Sequence, residues 1–304
     1  MPKLLYILGV CQRTGTNYLH DLVSTHPDAQ PSSQIWEDQA ITTIQYLDKY
    51  ARTLDIFWRK YSSPKHARLV SDLKENLGNA VTESIAAQTD DPNKLLITKT
   101  PSVFGIERIG KYFPKNKFIF LTRDGRSTAQ SFSKSFSTSF VRSCLVWRDG
   151  ARKLIGFLND AKLSKDVDYI VIRYEDLQTD FVKTITQVLE FCQLDPSKYN
   201  FDGGENMAVR GSSTLVETQD KVSWQKVEKD SSFKPLERYK SWSRIKTESF
   251  NALCLTEQTY FGYQDSPKLS TLATLLKPFL KLYVFIIRLP DSLKNRLKSK
   301  VLNS

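Results

Sequence analysis

The stretch Leu4-Leu5-Tyr6-Ile7-Leu8-Gly9-Val10-Cys11-Gln12-Arg13-Thr14-Gly15-Thr16-Asn17 decides how this chain folds. Its opening run is apolar without clean alternation, as in a strand covered on both faces. A glycine-containing turn follows. Tyr18, Leu19, Leu22 and Val23 then recur at helical spacing, which predicts a helix over 15–26. A strand, a glycine loop and a helix N-terminus together make a seat for phosphate, because free backbone N–H groups and the positive end of the helix dipole converge there. The loop is not a Walker A motif. Gly9 and Gly15 stand one residue too far apart for GxxxxGK[ST], and no lysine precedes Thr16. Arg13 supplies the fixed charge instead, with the Thr14 and Thr16 hydroxyls and the Asn17 amide as further donors.

Three more apolar runs, at 95–98, 117–122 and 169–173, read as buried strands. Helical patterns at 102–113, 126–139, 141–159 and 180–192 alternate with them, which predicts an α/β fold with a central, mostly parallel sheet. A long helical insertion within 38–90 separates the first two strands; Ser63-Pro64 marks the start of its second helix. Residues 203–227 carry little periodicity and much Ser, Thr, Gly and charge, the composition of a lid-like loop.

A second strand-to-helix turn reads Arg123-Asp124-Gly125-Arg126-Ser127-Thr128-Ala129-Gln130-Ser131. Arg123 has the fork geometry for a phosphate, and Ser131, two turns into the helix, adds a hydroxyl from the same side. Two phosphate-shaped sites on two strand ends predict a ligand with phosphates at both ends.

Composition narrows the partners. The chain has 304 residues, 40% hydrophobic and 25% charged, with net charge +11. Of that charge, +7 falls in residues 267–304, which leaves only +4 for the other 266. Such a body suits a pocket for a small polyanion rather than a nucleic-acid-binding face. The tail repeats Leu272, Leu276, Phe279, Leu280, Tyr283 and Ile287 at helical spacing, with Pro278 and Pro290 as breaks and with interspersed cations. It reads either as a helix packed on residues 1–266, the main domain, or as a basic amphipathic segment on the anionic inner face of a membrane. Four scattered cysteines without a CxxC pair, and only three histidines, predict neither a disulfide framework nor a metal site, and a reducing, cytoplasmic setting. No secretory leader is read from the short apolar run at the start.

Together these motifs resemble the sulfotransferase superfamily, which moves a sulfuryl group from 3′-phosphoadenosine-5′-phosphosulfate (PAPS). Arg13-Thr14-Gly15-Thr16-Asn17 is similar to that family's 5′-phosphosulfate loop, with Asn17 in place of a usual threonine. Arg123 and Ser131 are similar to its 3′-phosphate motif. Arg173-Tyr174-Glu175-Asp176-Leu177 is similar to the segment whose tyrosine lies against adenine, which implies Tyr174. The resemblance implies a P-loop-NTPase-like three-layer fold and 3′,5′-ADP as the spent donor.

Within the superfamily the chain looks closer to the bacterial-type and tyrosylprotein enzymes. Trp36-Glu37-Asp38 resembles the stretch that carries their catalytic base, implying Glu37, with Asp38 or His20 as alternatives. Thr98-Lys99-Thr100-Pro101 resembles their lysine–proline segment, implying that Lys99 neutralises the transferring group. Arg210-Gly211-Ser212-Ser213 resembles a late loop whose serine touches the phosphosulfate, implying Ser212 or Ser213. The implied reaction is in-line transfer to a hydroxyl or amine acceptor, with Arg13 sharing the charge and no metal. The rival readings are a P-loop kinase-like phosphoryl-transfer enzyme, and an inactive nucleotide-binding protein peripheral to a membrane.

Overall fold

The computed structural model describes residues 4–32, 35–61, 66–87, 89–211, 225–264, 266 and 268–289. Its elements run β1 (Leu4–Gly9), α1 (Thr16–Ser24), β2 (Ala29–Pro31), α2 (Ala40–Tyr61), α3 (His66–Ala86), β3 (Leu95–Thr100), α4 (Ile109–Tyr112), β4 (Lys117–Thr122) and α5 (Gly125–Phe136). They continue through α6 (Phe140–Asn159), α7 (Ala161–Ser164), β5 (Asp168–Arg173), α8 (Asp176–Thr179), α9 (Phe181–Phe191), α10 (Phe201–Glu205), α11 (Arg244–Tyr260) and α12 (Thr271–Arg288).

The five strands form one sheet in the order β2-β3-β1-β4-β5, and every pairing is parallel. All six residues of β1 are buried, which is why its sequence does not alternate. On one face Tyr6 and Leu8 join Phe118, Phe120 and the inner sides of α2, α5, α6 and α11; on the other, Leu5 and Ile7 join α1 and α9. This is the expected three-layer α/β architecture with its helical insertion, α2 and α3. Register then aligns the strand ends: Leu8 pairs with Thr100 and Gly9 with Leu121. The turns that follow β1, β3 and β4 therefore open at one edge of the sheet, where α/β folds bind their ligands.

The structure corrects several boundaries. The helix expected over 102–113 is only a short 3-10 turn, Ile106–Arg108, leading into α4. Gly105 stops it, because its φ is 97° and a Cβ there would fall 2.1 Å from the Ile41 carbonyl oxygen. Helix α12 runs through Pro278 instead of breaking there. Both Pro278 and Thr274, whose carbonyl loses its helical partner to the proline, are exposed rather than buried in the core. Of the loop at 203–227 the described ends are joined by an antiparallel bridge, Val209 N–H to Val227 O at 2.9 Å and the reverse at 2.8 Å. Ser212 and Ser213 lie outside the described residues, as does the tail beyond residue 289.

Candidate active site

Helix α1 starts at Gly15, whose φ of 106° belongs to the left-handed region, and no side chain caps its first turn. Among the described residues no side-chain cap therefore serves its first N–H groups. Gly15 is required for a second reason: a Cβ would fall 2.4 Å from Cδ2 of the Tyr174 ring. The preceding Arg13 is itself left-handed at φ 73°, an uncommon state for a residue with a side chain. The Thr14 hydroxyl turns inward and donates to the Cys11 carbonyl, so it staples the loop and is fully buried. Thr16 and Asn17 line the cleft in front of it.

The β4–α5 turn brings Arg123 to the same cleft. Trp147 Nε1 donates to the Arg123 carbonyl at 2.9 Å, and Asp124 caps α5 by accepting from Arg126 N–H at 2.8 Å. Gln258 clamps the turn from α11, accepting from Gly125 N–H and donating to Asp124, both at 2.9 Å. Arg123 donates to the Arg13 carbonyl at 2.9 Å and lies 4.3 Å from the centre of the Tyr174 ring. Its Nε is buried and makes no hydrogen bond among the described residues. Ser131 accepts from Arg13 Nε at 3.0 Å and from Arg238 Nη1 at 2.8 Å. The structure thus brings together Arg13, Gly15, Thr16, Asn17, Arg123, Ser131 and Tyr174, residues drawn from three strand ends.

Arg238 is the residue that sequence reasoning missed. It lines the cleft with Arg13 and Arg123, but comes from an aperiodic segment before α11 with no motif around it. Burial, then the neighbouring charges of Arg123 and Arg13, bring the Arg238 guanidinium down to about 9. Burial followed by Arg123 brings Arg13 down to about 10. Three like charges crowded this way destabilise one another until an anion joins them. Phe233 and Tyr18 close the cleft with apolar surface.

The second half of the site centres on Lys99. Its side chain is 2% exposed, and its Nζ donates to Glu37 Oε1 at 2.9 Å. Burial pushes the Lys99 ammonium below its ordinary value, and the Glu37 carboxylate partly offsets this. Trp36 packs against both cations that flank it, with Lys99 Nζ 4.7 Å and the Arg210 guanidinium 4.4 Å from its ring centre. Arg210 also clasps Asp21 through two nitrogens and lines the phosphate-type cleft, so it links the two halves. Burial alone would raise the Asp21 carboxyl, but His20 and Arg210 outweigh it and hold it below the usual range.

The two alternatives to Glu37 have structural partners. His20 Nδ1 faces Asp21 at 3.1 Å. Asp38 accepts from Ala40 N–H at 2.8 Å, starting α2, and from the hydroxyls of Thr98 (2.8 Å) and Thr100 (3.1 Å). Burial raises the Asp38 carboxyl despite those bonds. Asp38→Ala is expected to lower stability by about 1–3 kcal/mol, from the lost cap and two stranded hydroxyls, with turnover per folded molecule nearly unchanged. Thermal melts beside an activity assay check this; a turnover collapse without a lower Tm would make Asp38 the base.

Fold and site define a class: an α/β protein with an arginine-lined cleft at a P-loop-like turn, the arginines standing in place of the Walker lysine. The sequence model of the Sulfotransferase family matches residues 5–198, and the chain belongs to that family. It is similar to a protein-tyrosine sulfotransferase of Drosophila melanogaster, 29% identical over 160 residues, covering 48% of this chain and 29% of that protein's length. Among solved structures, the sulfotransferase domain of the Synechococcus PCC 7002 olefin synthase is 17% identical, covering 86% of this chain and 95% of that one, with a TM-score of 0.46. Mouse sulfotransferase SULT7A1, complexed with PAP, is 13% identical, covering 91% and 89%, with a TM-score of 0.45.

Proposed function

We propose that this chain transfers a sulfuryl group from PAPS to a hydroxyl or amine acceptor. The observation that carries the reading is the convergence of Arg13, Arg123 and Arg238 on one cleft at the N-terminus of α1. The residues present fit the donor: the uncapped turn and Arg13 suit its 5′ end, while Arg123, with an unused buried Nε, and Ser131 suit its 3′-phosphate. Tyr174, fixed against Gly15, offers its ring to the adenine. Ser212 and Ser213 belong to the same proposal as phosphosulfate contacts.

PAPS supplies an activated sulfuryl group, whose bond to the bridging oxygen breaks as the acceptor oxygen or nitrogen bonds to sulfur, releasing 3′,5′-ADP. Glu37 takes the acceptor's proton. Lys99 and Arg13 hold the negative charge that grows on the sulfuryl and leaving oxygens, as fixed donors in a dry site. This scheme assigns no step to a metal ion. A cytoplasmic location is part of the reading, supported by the free, buried state of all four cysteines, and so is peripheral membrane contact through 267–304.

A thermal-shift titration tests the donor site. At a concentration of ~100 times its dissociation constant, 3′,5′-ADP should add about 2.7 kcal/mol of stability. Arg123→Ala should weaken that ligand roughly tenfold to hundredfold, as loss of a charge-assisted hydrogen bond does. Stronger stabilisation by ATP–Mg²⁺ than by 3′,5′-ADP would put phosphoryl transfer in place of sulfuryl transfer.

A further inference from the structure

Helix α12 is apolar on two sides, and among the described residues only one of them is packed against the domain. Ala273 is fully buried, and Leu280 and Val284 pack on the core, so this side holds the helix to the domain. The opposite side shows Leu275 (62% exposed), Phe279 (73%), Leu282 (60%) and Ile286 (44%), with Tyr283 and Phe285 beside them. Spacings of four, three and four residues set the first four in one stripe along the helix. Water is a poor neighbour for so much contiguous apolar surface, which marks a surface meant for contact.

Charge identifies the occupant. Lys277, Lys281 and Arg288 recur at spacings of four and seven, forming a row that borders the apolar arc next to Phe285, with Arg288 ion-paired to Asp149 of α6. Lys277 and Lys281 also line a cavity of about 280 Å³ between α6, α11 and α12, together with Arg148 and with Arg152, which is ion-paired to the buried Glu257. Arg148 is only 8% exposed, and its Nε makes no hydrogen bond among the described residues. The sequence then continues beyond residue 289 with Lys294, Arg296, Lys298 and Lys300 against one acid, Asp291. A second copy pairing through this face would bring two +7 segments together, against their mutual repulsion. An apolar stripe edged by cations has the pattern of a helix lying in the headgroup layer of an anionic bilayer.

We infer that α12 seats the protein on an anionic phospholipid surface. The Leu275–Ile286 stripe enters the acyl boundary, and Lys277, Lys281 and the Arg148 cavity meet lipid phosphates. Lysine stems reach along the apolar surface and place their ammonium groups at headgroup level. The inference rests on the membrane contact proposed above and assigns it to α12; the surface is separate from the donor cleft, so it holds whatever group that cleft transfers.

Co-sedimentation of the full chain with vesicles provides the test. The protein should sediment with phosphatidylcholine vesicles containing phosphatidylglycerol, far less with phosphatidylcholine alone, and less at high salt. The triple variant Phe279→Ser, Leu282→Ser, Ile286→Ser, altered only at exposed positions, should stay in the supernatant while binding 3′,5′-ADP as before. Lys277→Ala and Lys281→Ala should each weaken vesicle binding about fivefold. A wild-type chain that ignores anionic vesicles at low salt would overturn the inference. So would a wild-type dimer in light scattering that the triple variant turns into a monomer, with no vesicle binding, since the occupant would then be a second copy.

Discussion

Lys99→Ala is expected to lower turnover by about 10²–10³, the loss that follows removal of one preorganised charge donor. Its affinity for 3′,5′-ADP should stay close to that of the parent, because the spent donor no longer carries the sulfuryl group that Lys99 is proposed to stabilise. An ammonium with 2% of its side chain exposed is expensive to hold, and burial already pushes it below its ordinary value. Glu37 is its carboxylate partner at 2.9 Å, yet Glu37 keeps 32% of its own side chain open to solvent, as the proposed role of base to an incoming acceptor requires. Glu37→Gln should therefore reduce turnover by about 10²–10⁴ while its amide oxygen still accepts from Lys99. A purely structural ion pair behaves otherwise: both variants would lower Tm, and turnover per folded molecule would stay near the parent value. Release of 3′,5′-ADP from PAPS over a panel of phenol, alcohol and amine acceptors gives the rates, and melts give the stability.

The same pair shows what the sequence could and could not say. Buried parallel strands write themselves as unbroken apolar runs, so β1 and β4 were legible almost to the residue, and the turns after them followed. Strand β2 was not. Three residues ending in Pro31 at a sheet edge carry no period to read. Helix α11 was also missed, because charged and polar residues break up the apolar stripe that carries Phe250, Leu253 and Cys254 into the core.

The site divides along the same line. Arg13, Arg123 and Tyr174 sit just beyond strands and are found by position; Arg238 reaches the cleft from an aperiodic segment 107 residues from its neighbour Ser131, so only tertiary structure joins them. Trp36 belongs by sequence to the motif around Glu37, but its contact with Lys99 and Arg210 is made in space alone. Local patterns report on backbone geometry. They are silent on which distant side chain arrives to complete a charge cluster.

Arg13→Gly separates a binding arginine from a structural one most sharply, because the two readings give opposite signs. Arg13 holds φ at 73°, a conformation that costs a residue with a Cβ about 1–2 kcal/mol and glycine almost nothing. It also carries a charge that burial and Arg123 already make harder to keep. Replacement by glycine relieves both penalties. Against this stand the hydrogen bond to Ser131 at 3.0 Å, worth about 1 kcal/mol, and the extra freedom glycine gives the unfolded chain, about 0.5–1 kcal/mol. These contributions nearly cancel, and Ser131 keeps its bond from Arg238 at 2.8 Å. The free variant should therefore melt at or slightly above the parent temperature. Its stabilisation by 3′,5′-ADP should shrink, and its turnover should fall by about 10²–10³. A lower Tm with ligand stabilisation intact would assign Arg13 to holding the loop. Strain and like charge collected at the N-terminus of α1 lower the stability of the empty protein, and an anion seated there turns that same arrangement into affinity.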